Sequence, residues 1–218
     1  MRSYDLSGFG SPWFHTALVC DVLDRLGEKP AYLGPEVIAI DHQMKLAGKA
    51  LTLSAEPASL DANRPYGRLF EAYRRMQAGD VIVIGGSHSA DSGLWGELLS
   101  IAAVARGVAG VVTAGLVRDV DQLRQMGFAT FSRGATPIDS AGRHEIGAIG
   151  ERVTLGDLTV ANGDLVFADA MGVVVVPAEL GSKVVELCAG KAAAEDVVRR
   201  ELAEGQDVGE VFDRYGIL

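Results

Sequence analysis

The chain is poor in cysteine. Cys20 and Cys188 stand alone among 218 residues, without the paired-thiol spacing of a zinc site or a disulfide framework. A disulfide scaffold is therefore excluded, and a reducing cytoplasm is the expected compartment. Long apolar runs are missing too. The longest stretch free of Asp, Glu, Lys and Arg, from Leu6 to Cys20, carries glycines and a proline and falls short of a membrane span. The opening segment MRSYDLSGFGSPWFH has no basic start followed by an apolar block, so it does not read as a signal peptide. Positive charge is also scarce: 20 Lys and Arg against 29 Asp and Glu give a formal charge of −9. A surface this negative repels phosphate backbones and anionic lipid, which disfavours nucleic acid and membrane as partners.

What the chain does have is glycine. Its 27 glycines are nearly double the usual share of roughly 7%. With 48% hydrophobic residues, the length suits one sizeable core, and residues 1–218 are expected to form a single domain. Ser11 to Gly27 predicts a helix, with Ser11 as N-cap, Pro12 at the first position and Gly27 at the stop. Leu46 to Ala55 partly alternates like a strand. Arg68 to Ala78 predicts a helix closed by Gly79. Asp80 to Gly85, DVIVIG, is a short continuous apolar run, the pattern of a strand covered on both faces. A second helix–strand round follows in Leu94 to Arg106 and Val108 to Gly115, and a third in Val120 to Met126 and Phe128 to Ser132. Such alternation implies parallel strands with right-handed crossovers. Beyond Arg143 short β segments follow one another, with Asn162-Gly163 as a hairpin signal. Residues 178–218 read as a helical tail.

Several familiar signals fail on inspection. GGSHSADSGLWG (Gly85 to Gly96) lacks both dinucleotide-loop glycine spacing and the Gly-Lys-Ser/Thr of a phosphate loop. Gly85-Gly86-Ser87-His88-Ser89 misses the nucleophile elbow at its fifth position, and His144 is the single later histidine. His88, Asp91 and Glu97 match no structural zinc spacing. His15 reads as a packing residue within the first helix, and His42 and His144 have no chemical context. Trp13 and Trp95 read as core or interface anchors.

Arg118-Asp119 supports two readings. In the first, Asp119 caps the helix that follows, with Gln122 at the third position completing a capping arrangement. In the second, a cation and an anion stand side by side at the end of a buried strand, where they can hold a carboxylate substrate and a divalent metal. The amides of Gly96, Glu97, Leu98 and Leu99 at the start of the preceding helix add an anion-binding terminus. Glu97 there is itself favourable to that helix. The polar segment Ser59 to Arg68, SLDANRPYGR, either reaches the distal end of a substrate or is a solvated connection.

Glu97, a twenty-residue spacer and Arg118-Asp119 together resemble the signature of the RraA-like family, which includes 4-hydroxy-4-methyl-2-oxoglutarate/4-carboxy-4-hydroxy-2-oxoadipate aldolases. GDVIVIGG, LWGELLSIAAVARGVAGVVTAGLVRDVDQLRQMGFATFSRGATP and GDLTVANGDLVFADAMGVVVVP resemble family segments in family order, from about Thr16 onward. The resemblance implies a swivelling β/β/α-type α/β fold, mixed parallel and antiparallel, with the helical tail at a subunit interface of a homotrimer or hexamer. It implies a class II pyruvate aldolase dependent on magnesium or manganese that takes an oxo-acid substrate, with oxaloacetate decarboxylation as a second activity. Asp119 would be the metal ligand and Arg118 the substrate-binding cation. The amides from Gly96 to Leu99 would cradle the pyruvyl carboxylate, and Glu97 would hold metal-bound water. Glu195 is the best positional match to a glutamate supplied by a neighbouring subunit. The family also holds a branch that binds and inhibits ribonuclease E, which gives the alternative function. The presence of Asp119 and the long tail favour the aldolase branch.

Overall fold

The structure, a computed structural model, describes residues 4–6, 8–9, 14–58, 66–86 and 91–217. Helix α1 (Thr16–Arg25) precedes strands β1 (Ala31–Leu33), β2 (Ile38–Ala39) and β3 (Leu46–Pro57). Then come α2 (Gly67–Arg75), β4 (Asp80–Gly85), β5 (Gly93–Trp95), α3 (Glu97–Ala105), β6 (Gly110–Thr113) and β7 (Leu116–Val117). They are followed by α4 (Val120–Met126), β8 (Ala129–Ser132), β9 (Gly134–Ala135) and β10 (His144–Ile149). Strands β11 (Val153–Leu155), β12 (Leu158–Val160), β13 (Leu165–Asp169) and β14 (Gly172–Val176) lead to α5 (Gly181–Ala203) and α6 (Val208–Tyr215).

The main sheet runs β1-β14-β13-β3-β4-β6-β8-β2, with β10 also on β3. Strands β3, β4, β6 and β8 are parallel, and the flanking pairs are antiparallel. The fold is thus one α/β domain of mixed sheet and helices, as expected. Alternation along β4 assigns its side chains to two cores. Ile82 and Ile84 pack with Leu69, Ala103 and Leu123 of the helical layer. Val81 and Val83 pack with Leu155 and Val160 of the β11–β12 hairpin on the other face. A third cluster joins Leu18 and Val22 of α1 to Phe167, Val174 and Cys188. Each such buried aliphatic side chain contributes about 1.5–3 kcal/mol by leaving water.

Four sequence expectations need correction. The first helix begins at Thr16, with His15 as its N-cap accepting from the Leu18 amide at 3.4 Å. The buried Asp169 carboxylate fixes that start, binding the Thr16 amide at 2.8 Å and its hydroxyl at 2.7 Å. Ser11, Pro12 and Trp13 lie outside the described residues. Leu94 and Trp95 belong to β5 rather than to a helix, because Gly93–Trp95 pairs with β7. Helix α3 starts only after the extended Gly96, at φ −162°. Helix α2 stops at Arg75, three residues before Ala78. Asn162-Gly163 turns the chain between β12 and β13, which do not pair with each other. Asn162 instead accepts the Thr52 amide at 3.2 Å, tying that turn to β3. The two hairpins turn at Gly156-Asp157 and Ala170-Met171.

Candidate active site

A small three-stranded sheet, β5-β7-β9, builds the site at the ends of the parallel strands. It aligns Trp95 with Val117 and delivers the Arg118 amide to the Trp95 carbonyl at 2.8 Å. Gly93 and Gly96 are what permit the two charged side chains to lie there. A Cβ on Gly93 would stand 2.2 Å from Arg118 Cγ, and one on Gly96 would stand 2.6 Å from Asp119 Oδ2. The glycines thus clear space for Arg118 and Asp119.

Asp119 occupies the N-cap position of α4 but makes no side-chain cap there. The capping reading is therefore wrong for its own helix. Its backbone is left-handed, at φ 55° and ψ 42°, a region few non-glycine residues adopt, with Asp among the more frequent. Asp119 Oδ2 instead accepts the Glu97 amide at 3.0 Å, at the first turn of α3. The first intrahelical bond of α3 comes from Ser100, to Gly96 at 3.1 Å, so the Leu98 and Leu99 amides have no partner within the helix. Trp95, buried as expected of a core anchor, stacks on Phe128 and donates from Nε1 to Ser100 Oγ at 2.7 Å.

Arg118 and Asp119 border two concavities. One, of about 340 Å³, is also lined by Gly96, Leu98, Leu99, Tyr66 and Asp139. The other, of about 440 Å³, adds Val120, Thr136 and Pro137. The Arg118 and Asp119 side chains are 33% and 34% exposed, within reach of a ligand, and Nε to Oδ1 is a loose 3.9 Å. Arg118 Nη1 lies 3.3 Å from Asp139 Oδ2. Tyr66 donates its hydroxyl to Asp139, 3.2 Å from each carboxylate oxygen. Burial pushes the Asp139 carboxyl up, but the Ala141 amide, the Tyr66 hydroxyl and the Arg118 charge together hold it below the ordinary carboxylate range. Burial, then the negative Asp139, raises the Tyr66 phenol.

The donor set suits a hard divalent ion. Asp119 offers a carboxylate on the cavity wall, and the missing Gly96 side chain leaves room for its Oδ2. Among the described residues no trio of His, Cys, Asp or Glu gathers as a ready-made cage. One carboxylate, with waters and substrate oxygens filling the remaining positions, is an arrangement magnesium accepts.

The cavity therefore brings together Arg118, Asp119, Gly96, Leu98 and Leu99, with Glu97 joined through its amide. Glu195 is elsewhere. It lies on α5, where its carboxylate meets Lys191 Nζ at 3.2 Å and Arg199 Nη2 at 2.8 Å, and it lines neither concavity.

A family model described as RraA-like, Aldolase/RraA, matches residues 16–175. The chain is a member of the RraA-like family. Protein DlpA of Legionella pneumophila is 25% identical over 92% of this chain, which spans only about a third (32%) of that protein. A Halalkalibacterium halodurans protein provisionally named 4-hydroxy-4-methyl-2-oxoglutarate aldolase is 28% identical, covering 87% of this chain and 85% of its own. The structure of Streptomyces coelicolor RraAS2, described as an unusual member of the RNase ES inhibitor RraA family, aligns at TM-score 0.75. It is 30% identical over 86% of this chain and 93% of its own.

Within this RraA-like site, sequence reasoning missed Tyr66 and Asp139. Asp139 sits in the turn-rich TPIDSAG stretch, and its only signal was proximity to Arg118, which needs the fold. Tyr66 belongs to the segment read either as reaching the distal substrate end or as a solvated connection, and it lines the roughly 340 Å³ cavity. Arg68 of that segment turns away, donating from Nη2 to the Gly147 carbonyl at 2.8 Å, while 59–65 lie outside the described residues. His144 does have a partner. Its Nδ1 is 2.7 Å from the buried Ser92 hydroxyl, which ties β10 to the residue preceding Gly93. Ser87 and His88, of the rejected elbow and metal patterns, lie outside the described residues.

Proposed function

We propose that this chain is a divalent-metal-dependent carbon–carbon lyase that cleaves 4-hydroxy-2-oxo acids to pyruvate and a carbonyl compound. The observation that carries this reading is the meeting of Asp119, Arg118 and the first turn of α3 at one cavity. Asp119 would hold magnesium or manganese, which would supply Lewis-acid stabilisation of the developing enolate charge. Arg118 binds the carboxylate and carbonyl end of the substrate, adding fixed positive charge where the enolate forms. The Leu98 and Leu99 amides, at the positive end of the α3 dipole, orient the same carboxylate. A water in the cavity accepts the proton of the 4-hydroxyl; Glu97, which lines neither concavity, would act on that water only if its side chain turned toward the site. The C3–C4 bond then breaks, its electron pair passes into pyruvate enolate, and C4 leaves as a carbonyl. Return of that proton to C3 completes pyruvate. Oxaloacetate, which has no 4-hydroxyl, would need no base: its C4 carboxylate leaves as carbon dioxide and the C3–C4 electron pair passes into the same enolate.

The proposed assembly is a homotrimer or hexamer. Leu98, Ile101 and Val104 of α3 are 77%, 49% and 51% exposed, an apolar stripe that another subunit would cover. Glu195 has a part in this scheme only if a neighbouring copy's α5 brings it to the site.

The test is pyruvate release from 4-hydroxy-4-methyl-2-oxoglutarate, 4-hydroxy-2-oxopentanoate and oxaloacetate, with magnesium and with chelator. Metal-dependent pyruvate from at least one is expected. A folded, metal-supplied protein that releases none overturns the reading. The relation to RraAS2 supports the second reading, a regulator that binds ribonuclease E. Co-purification with ribonuclease E by an inactive chain would establish it.

A further inference from the structure

Resting on the 2-oxo-acid reading, we infer that Asp139 is a positioning residue that holds the Arg118 guanidinium in place for the substrate carboxylate. Arginine carries a long, rotamer-rich side chain, so a fixed head needs supports along its length. Two are present. A Cβ on Gly93 would stand 2.2 Å from Arg118 Cγ, so the stem lies directly on the glycine backbone. At the head, Nη1 lies 3.3 Å from Asp139 Oδ2, while Nε stands 3.9 Å from Asp119 Oδ1. The guanidinium thus spans two carboxylates, and the nearer is Asp139.

Asp139 is itself held from several directions. Its Oδ1 accepts the Ala141 amide at 3.2 Å, and its carbonyl accepts Arg143 Nη1 at 3.1 Å. The Gly93 amide donates to the Ile138 carbonyl at 2.8 Å, so Gly93 both carries the Arg118 stem and anchors the Asp139 segment. Tyr66 adds its hydroxyl, 3.2 Å from each carboxylate oxygen. Among the described residues, only Tyr66, at φ 71°, and Asp119, at φ 55°, are non-glycine residues with positive φ. They stand at the two ends of the contact series Tyr66–Asp139–Arg118–Asp119. Backbone strain of this kind persists where the surroundings over-determine it, and it gathers at ligand clamps. In this scheme Asp139 touches neither metal nor substrate and acts through Arg118.

A double-mutant cycle on the full chain with magnesium tests this. Asp139→Ala should lower kcat/KM for pyruvate release about a hundredfold, the scale of a roughly 1 Å misplacement at a reacting centre. In an Arg118→Ala background the same change should cost less than about twofold, because Asp139 then has nothing to position. Tyr66→Phe removes one hydrogen bond from the series and should cost about fivefold, again only while Arg118 is present. Manganese affinity, read by electron paramagnetic resonance, should stay within about twofold in Asp139→Ala, since Asp119 is not displaced. A merely structural role predicts equal losses with and without Arg118, together with weakened manganese binding, and either result overturns the inference. Full activity in folded Asp139→Ala overturns it as well. If Asp139→Ala does not fold, Tyr66→Phe carries the cycle alone. If the chain binds pyruvate without releasing it from a substrate, the same cycle is read by calorimetry in pyruvate affinity. An unaltered chain that neither binds nor releases pyruvate takes the inference down together with the 2-oxo-acid site. Pyruvate release with additive losses overturns the inference alone.

Discussion

The Asp119 carboxylate accepts the Glu97 amide at 3.0 Å, so a residue at the start of α4 closes the first turn of α3. This one contact couples the Arg118-Asp119 pair to the helix terminus that would receive the substrate carboxylate. It depends on Gly96, whose missing side chain leaves room for Oδ2. Gly96→Ala should therefore displace Asp119. A shift of the order of 1 Å at a reacting centre can cost about a hundredfold in rate. Steady-state pyruvate release should fall by about that factor while circular dichroism stays unchanged.

Asp169 provides a test of the fold away from the site. It is 4% exposed and accepts from the Thr16 amide and hydroxyl and, at 2.9 Å, from the Met171 amide. Asp169→Ala takes that acceptor from the Thr16 donors at the start of α1 and from the Met171 amide in the β13–β14 turn. Thermal or urea unfolding should show a loss of about 3 kcal/mol, the scale for hydrogen bonds to a buried charged group.

The Asp139 carboxyl should titrate below the ordinary value of about 4. A carboxyl lowered in the folded state contributes stability above its unfolded pKa and loses it as pH falls through the folded value. The Tyr66–Asp139–Arg118 tie should thus hold at neutral pH and release in acid. Tyr66→Phe removes one hydrogen bond and should move the Asp139 titration upward, as followed by carboxyl NMR.

Burial pushes the Cys188 thiol up to about 12, with Lys191 opposing and Asp21 reinforcing the shift. Cys20 is raised as well, by burial and then by Asp24 and Asp21. Thiolate is the reactive form. Native protein at pH 8 should therefore react slowly with iodoacetamide, Cys188 not at all, whereas urea-unfolded protein should label at both.

Much of this architecture was legible because single elements carried a single period. DVIVIG could only be a strand buried on both faces, and VDQLRQM with Gly127 behind it gave α4 at its observed bounds. Leu94-Trp95 misled because two apolar residues beside a helix start fit either period, and only pairing with β7 decides. Asn162-Gly163 misled because turn chemistry fixes a bend without fixing which strands pair after it. In the site, the pair Arg118-Asp119 and the α3 terminus were visible as neighbours of strand ends. The Tyr66–Asp139 contact was not, since 73 residues separate its partners and no local pattern links them.

Asp119 bears the weight of the functional account. The direct measurement is magnesium-dependent pyruvate release by Asp119→Asn beside the unaltered chain, with 4-hydroxy-2-oxopentanoate as substrate. The account predicts a loss of at least about a hundredfold, the scale for removing a key electrostatic group, with the fold and oligomer preserved. Full metal-dependent activity in Asp119→Asn, with only a lowered melting temperature, would contradict it and leave Asp119 only its structural bond to the Glu97 amide.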